Sequence, residues 1–295
     1  VNAAFITGAD LLGTWLGEVE VGTPPVRFML AEPFEKLDLR PGRLILFGGS
    51  PGSGKTAALL HVGIDLLRLN ESARLLVANV EMTPTLLLER IVSRLAAVPL
   101  KTIMDRTLTK GEIDRIKVAV ANLEGSAGRL AFLQPPYTLE HVAAAGTAFD
   151  ANALILDYVQ RFAVGDGTKT QREALEDAVT VLRRFADAGA VVLVACAVAR
   201  QKSAAGSSYR HLNLASFRGS SELEFGADTA YLLDTDQEGG LLLRCEKNRY
   251  GSLEDLPTSF DGTTQTFKPA PTGWDGFDAA RPAPSSNGRK TKGGL

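Results

Sequence analysis

Eight consecutive residues, Gly49-Ser50-Pro51-Gly52-Ser53-Gly54-Lys55-Thr56, are the part of this chain best suited to chemistry. They fit GxxxxGK[ST] between an apolar strand-like run and a helical pattern, the context that motif requires. The glycines let the backbone curl so that successive N–H groups face phosphate oxygens, and the dipole of the following helix adds attraction for an anion. Lys55 supplies a point charge for the β- and γ-phosphates, and Thr56 a hydroxyl for Mg²⁺. Nucleoside triphosphate binding is the expectation. Such a metal site needs a carboxylate at the end of a neighbouring strand, and Leu154-Ile155-Leu156-Asp157 delivers Asp157 to that edge. Hydrolysis needs a group to orient or deprotonate water. Glu81 follows the apolar run Leu75 to Val80 and emerges on the same edge. Taken locally, the alternative is a helix N-terminal carboxylate favoured by the dipole.

Two further clusters are less specific. Lys247-Asn248-Arg249 follows the strand-like LLLRC and places two cations on one side of a strand end; by itself it is a solvated hairpin. Arg218-Gly219-Ser220-Ser221 is a small, flexible basic turn ahead of an expected helix, suited to close approach to a phosphate backbone. Unaided, it is only a loop.

The elements that must position these residues alternate from Phe34 to Phe267, which predicts an α/β fold with a mainly parallel sheet. Strands are expected at 43–47, 75–80, 130–134, 153–159 and 191–198. Helices are expected at 55–69, from Pro84 behind a Thr83 N-cap, and at 111–123, 139–149 and 171–188. YLLDT, LLLRCEK and the run 264–267 read as antiparallel strands added to one edge of the sheet. Ahead of the core, Leu11, Leu12, Trp15, Leu16 and Val19 give residues 9–19 an amphipathic helical pattern, and the Pro-rich 22–33 reads as an extended linker. Residues 268–295 are rich in Pro, Gly and Ser and end in Arg289, Lys290 and Lys292, the composition of a disordered tail.

At 295 residues with 45% hydrophobic and 22% charged side chains, the chain can bury a full core, and neither a disordered protein nor a disulfide scaffold fits. Cys196 and Cys245 lie in apolar runs without metal-ligand spacing and read as reduced core residues. The longest apolar runs fall short of the ~20 residues that span a bilayer, so a cytoplasmic protein with no membrane partner is expected. A formal charge of −2 argues against a surface coated in phosphate-binding cations, so any nucleic-acid contact must be local.

With these residues in place, residues 8–267 resemble the C-terminal ATPase domain of the DnaB-type replicative helicases, RecA-like members of superfamily 4. The resemblance rests on the P-loop, on Val80-Glu81-Met82-Thr83, on Leu156-Asp157-Tyr158-Val159-Gln160, on the segment Arg218 to Asp228, and on Lys247-Asn248-Arg249-Tyr250-Gly251. It implies a RecA-like P-loop NTPase core using ATP and Mg²⁺, with Glu81 polarising the attacking water. Lys247 and Arg249 would reach the nucleotide of a neighbouring subunit, Arg249 as the arginine finger. It further implies a homo-oligomeric ring, usually hexameric, with single-stranded DNA in the pore against Arg218, Gly219 and Ser221. The helix at 9–19 would pack on the adjacent protomer. Movement would be 5′ to 3′; the loader or primase partner is left unspecified. The chain departs from the pattern at Cys196 and Ala197, where the family carries Ser and a γ-phosphate-sensing Gln, and at Gly219, where it carries an acidic residue. Those departures keep open a nucleotide-switched DNA-binding or loader ATPase without processive unwinding, and, more distantly, an ATPase acting on protein.

Overall fold

Leu44, Ile45, Leu46 and Phe47 alternate between two apolar environments, and that alternation organises the molecule. Ile45 and Phe47 belong to one hydrophobic cluster with residues of the helix after the P-loop, while Leu44 and Leu46 belong to a second on the opposite face. A strand buried on both sides needs a helical layer on each, which is why its residues read as a continuous apolar run. The computed structural model describes residues 6–163, 170–199, 201–203, 206–208, 212–217, 221–235, 240–271 and 274.

In chain order the elements are α1 (Gly8–Val21), β1 (Leu44–Gly49), α2 (Lys55–Leu69), β2 (Leu75–Asn79), α3 (Pro84–Ala96), α4 (Leu100–Met104), α5 (Lys110–Ala127), β3 (Leu130–Phe132), α6 (Leu139–Phe149), β4 (Ala153–Asp157), α7 (Val159–Phe162) and α8 (Gln171–Asp187). They continue with β5 (Val191–Ala197), β6 (Gln201–Ser203), β7 (Gly206–Ser208), a 3₁₀ turn at Leu214–Ser216, α9 (Ser221–Gly226), β8 (Thr229–Thr235), β9 (Gly240–Asn248), β10 (Leu256–Asp261) and β11 (Thr266–Pro269). The main sheet runs β11-β10-β9-β8-β1-β5-β4-β2-β3. From β8 through β3 neighbouring strands are parallel, and β9, β10 and β11 add antiparallel pairs at one edge.

Local chemistry sets several boundaries. Thr83 caps α3 by accepting from Leu86 N, with Pro84 at the first helical position, as its sequence predicts. Thr109 with Glu112, and Thr170 with Glu173, form capping boxes that start α5 and α8. The predicted face of α8 is the buried one, through Leu175, Ala178, Val179, Leu182 and Ala186. A satellite cluster of Val92, Ala96, Val98, Ile103 and Ala119 ties α3, α4 and α5 together. Cys196 and Cys245 are buried free thiols.

Some expectations need correction. YLLDT is not an antiparallel edge strand: β8 pairs parallel with β1 on one side and antiparallel with β9 on the other, so it is interior. The polar stretch after β5 contains a two-stranded antiparallel ribbon, β6 with β7. The core continues two residues past Phe267, because β11 pairs with β10 as far as Pro269. The expected tail lies outside the described residues from 275 onward. α1 forms as predicted, yet none of its residues is buried; Trp15 is 58% exposed and Leu12 63%.

This distribution of burial makes a paired expectation. Leu193→Ala at the centre of β5, where the side chain is wholly buried, should cost about 2–4 kcal/mol in urea unfolding of the isolated chain. Leu12→Ala on α1 should shift the same transition by less than about 0.5 kcal/mol.

Candidate nucleotide site

The P-loop is shaped by what cannot fit in it. A Cβ at Gly49 would lie 2.6 Å from Ser53 Oγ and 3.0 Å from the Leu233 carbonyl oxygen, so the turn out of β1 admits no side chain. Gly54, the residue before α2, has φ of 91°, and a Cβ there would press on the rings of Phe267 and Phe260. Ser50, Pro51, Gly52 and Ser53 complete the turn, closed by Ser53 N donating to Ser50 O at 3.2 Å. Lys55 Nζ donates to the carbonyls of Gly49 and Ser50, each at 2.9 Å, holding the ammonium at the mouth of the loop. Burial lowers the Lys55 pKa, while the carboxylates of Asp157 and Glu81 oppose the shift.

Strand register brings the remaining groups to this point. Gly49 pairs with Ala197, and Asn79 pairs with Asp157, so the ends of β1, β5, β4 and β2 form one edge. Thr56 Oγ1 donates to Asp157 Oδ2 at 2.5 Å, and Asn79 Nδ2 donates to the same oxygen at 2.9 Å. Asp157 is 4% exposed; burial pushes its pKa up, and Thr56 and Lys55 pull it back. Asn79 also accepts from the backbone N–H groups of Glu81 and Met82, both at 2.8 Å. It therefore fixes the turn that carries Glu81 to the cleft while holding Asp157.

The cleft between these strand ends measures about 620 Å³, within the ~300–1,000 Å³ of small-molecule sites. Lys55, Thr56, Glu81 and Asp157 line it together. So do Tyr158, from the Asp157 motif, and Arg90, Phe260 and Gln265, which sequence reasoning did not select. Arg90 comes from α3, donates to Gln265 Oε1 at 2.5 Å, and has a buried Nε without a hydrogen-bond partner. Phe260 stacks on Phe267 with ring centroids 4.5 Å apart, so the β10–β11 hairpin forms an aromatic wall over the P-loop. Ala197 also lines the cleft, and the Gln160 amide pairs with the Ala197 backbone N–H and carbonyl at 3.0 and 3.3 Å.

The donor set suits a hard divalent cation that keeps most of its shell for water and phosphate. One hydroxyl and one carboxylate meet here, and no cluster of three His, Cys, Asp or Glu occurs among the described residues. Mg²⁺ beside bound phosphates fits that arrangement; a metal held by protein ligands alone does not.

Lys247 and Arg249 stand elsewhere. Lys247 Nζ donates to the carbonyls of Glu224 and Ala227, and Arg249 Nη2 donates to Phe225 O at 3.0 Å. Burial, with the Arg249 charge adding to it, lowers the Lys247 pKa. Leu44 N and Arg249 N both bond to Asp228, so Arg249 sits beside the first residue of β1, whereas the P-loop leaves from the last. At ~3.3 Å per residue the strand separates them by roughly 16 Å, beyond the reach of an arginine side chain. Arg218 and Gly219 lie outside the described residues; Ser221 opens α9, and only its backbone is described.

The buried carboxylate yields a pH prediction. Because the folded pKa of Asp157 is raised, its ionisation opposes folding as pH climbs above the ordinary aspartate range near ~3.9. Asp157→Asn should therefore raise the melting temperature of nucleotide-free protein at neutral pH, with the gap closing as pH falls towards about 4. Differential scanning fluorimetry across that range checks it; a constant gap would count against the assignment.

Sequence and structure comparisons agree with this geometry. The family model described as DnaB-like helicase C terminal domain matches residues 34–269. No curated protein matches the chain. Among solved structures, one described as an ATPase domain superposes with a TM-score of 0.77 at 15% identity, covering 90% of this chain and 99% of that one. "The Structure Of A DnaB-Like Replicative Helicase And Its Interactions With Primase" superposes at 0.74 and 15% identity, covering 90% of this chain and 67% of that one. At such identities the likeness is one of fold, a RecA-like helicase domain. Matched over most of its length, the chain belongs to the family of DnaB-like helicase C-terminal domains.

Proposed function

We propose that this protein is an ATP-dependent, ring-forming motor that moves on single-stranded DNA. The observation that carries the reading is the separation of its two sets of functional groups. Lys55, Thr56, Glu81 and Asp157 meet at the carboxyl edge of the sheet, while Lys247 and Arg249 stand at the opposite end of β1. Cations so placed serve the cleft of another copy, and closing that relation around an axis gives a ring.

In this reading the backbone N–H groups of residues 52–55 and the Lys55 ammonium bind the β- and γ-phosphates of ATP. Thr56 and Asp157 hold Mg²⁺, which when bound neutralises charge on those phosphates. Glu81, set by Asn79, orients and deprotonates the attacking water. Arg249 of the adjacent subunit stabilises charge developing on the γ-phosphate, with Lys247 beside it. Arg218, Gly219 and Ser221 line the pore, where a few contacts repeated around the axis suffice despite the net charge of −2. α1 covers its apolar side on the neighbouring subunit. Hexameric order, 5′ to 3′ polarity, a role in replication and a cytoplasmic setting are the family's expectations for such a motor. Residues 34–269 form the ATPase unit, with the linker ahead of it and the tail behind it.

Alanine at position 197, lining the cleft, favours a second reading. No side-chain amide at that position can report the γ-phosphate, which suits a nucleotide-switched DNA-binding or loader ATPase that does not unwind processively.

Two assays separate the possibilities. Single-stranded DNA should stimulate ATP turnover, and a forked duplex should be unwound; turnover without strand separation would sink the helicase reading in favour of the switch. Glu81→Gln should leave nucleotide binding intact and lower turnover by roughly 100-fold or more, whereas Lys55→Ala should abolish binding. Mixed Arg249→Ala and Glu81→Gln subunits should recover part of the wild-type rate, because one interface type in the mixture is intact.

A further inference from the structure

Asp228 is wholly buried between α9 and β8 and divides its carboxylate between two tasks. Oδ2 accepts from Leu44 N at 2.9 Å and from Arg183 Nη1 at 2.6 Å, tying the start of β1 to α8. Oδ1 accepts from Arg249 Nη1 at 3.1 Å. The Asp228 backbone carbonyl adds a bond from Arg249 N at 2.9 Å, and Phe225 O takes Arg249 Nη2 at 3.0 Å. The guanidinium is thus held by two fixed acceptors, on a side chain that is still 46% exposed.

We propose that Asp228 is the positioning residue for Arg249, holding its guanidinium in a preset orientation at the subunit edge before the neighbour's nucleotide arrives. The proposal rests on the reading above in which Arg249 acts on an adjacent subunit. An arginine on an exposed strand end loses much of its rotamer freedom when a site assembles around it, and each ordered long side chain costs binding free energy. A buried carboxylate that fixes one nitrogen, with a carbonyl fixing the other, removes most of that cost beforehand. The division of labour matters because the fold uses Oδ2 and leaves Oδ1 to Arg249.

Asp228→Asn tests this. The single amide oxygen can keep Leu44 N–H and Arg183, which turns the amide NH₂ towards Arg249 and removes its acceptor. Turnover of the homogeneous variant should fall roughly 10- to 100-fold, with the KM for ATP changed less than about threefold. Mixed-subunit assays supply the readout that a merely structural role would not move. Asp228→Asn subunits should regain activity when mixed with Glu81→Gln subunits, which donate a normal Arg249, and gain nothing from Arg249→Ala subunits. Equal rescue by both partners, or by neither while Arg249→Ala and Glu81→Gln rescue each other, would overturn the positioning role. If those two fail to rescue each other, the assignment of Arg249 to the adjacent subunit falls first and takes this proposal with it. Arg183→Gln is the control: it removes the other charged partner of Asp228, should lower the melting temperature comparably, and should still donate a working Arg249. If Asp228→Asn does not fold, Asp228→Glu, which displaces the carboxylate by one methylene, is read by the same mixtures with the same outcomes.

Discussion

A carboxylate taken out of water must be surrounded by donors, and Asp157 meets that demand with groups from two elements, α2 and β2. Thr56 reaches it from the first turn of α2, Asn79 from the end of β2, and the Lys55 charge lies close by. Each donor arrives only if its element is in register. Sliding β2 by one residue against β4 would turn Asn79 to the opposite face of the sheet, and with it the turn carrying Glu81. The packing of two helical layers on a sheet buried on both sides therefore has a chemical consequence. It fixes β1, β5, β4 and β2 so that their last residues share one edge.

Much of this was legible in the sequence because it is local or periodic. The P-loop is contiguous, the Thr83-Pro84 cap is a local signal, and α2 and α6 run over the residues their patterns predicted. What was hidden depends on distance or on direction. Arg90 and Gln265 are 175 residues apart, and nothing near either announces the other. A run such as TAYLLDT has the same composition whether its neighbour is parallel or antiparallel, so the mixed pairing of β8 could not be read from it. β10 escaped because Pro257 interrupts it and only alternate residues are buried, the pattern of a strand near an edge. Asn79 reads as an ordinary strand-ending turn residue until the register with Asp157 is known.

The two ends of the parallel strands carry opposite halves of one reaction in the proposed reading. The carboxyl ends hold the phosphate cradle, as open α/β sheets do generally. The amino ends hold a buried acidic anchor, Asp228, and the cations around it. β1, buried along its whole length, joins the two. The hairpin between β10 and β11 sits over the P-loop and is also tied to α4, through Leu100 N donating to Thr263 O at 2.8 Å. The aromatic wall of the cleft is thus coupled to the small helical cluster of α3, α4 and α5 as well as to the sheet.

The exposed helix at the N-terminal side has a thermodynamic consequence. α1 has 14 residues, a capping box from Thr7 and Asp10, and glycines at 13 and 17 in its interior. The cap contributes about 1 kcal/mol to helix formation, while the two glycines cost roughly 2 kcal/mol relative to alanine. A helix of that length is marginal in water without a covering surface. Part of the free energy released when its leucines and Trp15 are covered must therefore go into keeping it helical. In the proposed ring α1 is therefore a weak tether, with a grip on the neighbouring subunit smaller than its apolar area alone would give.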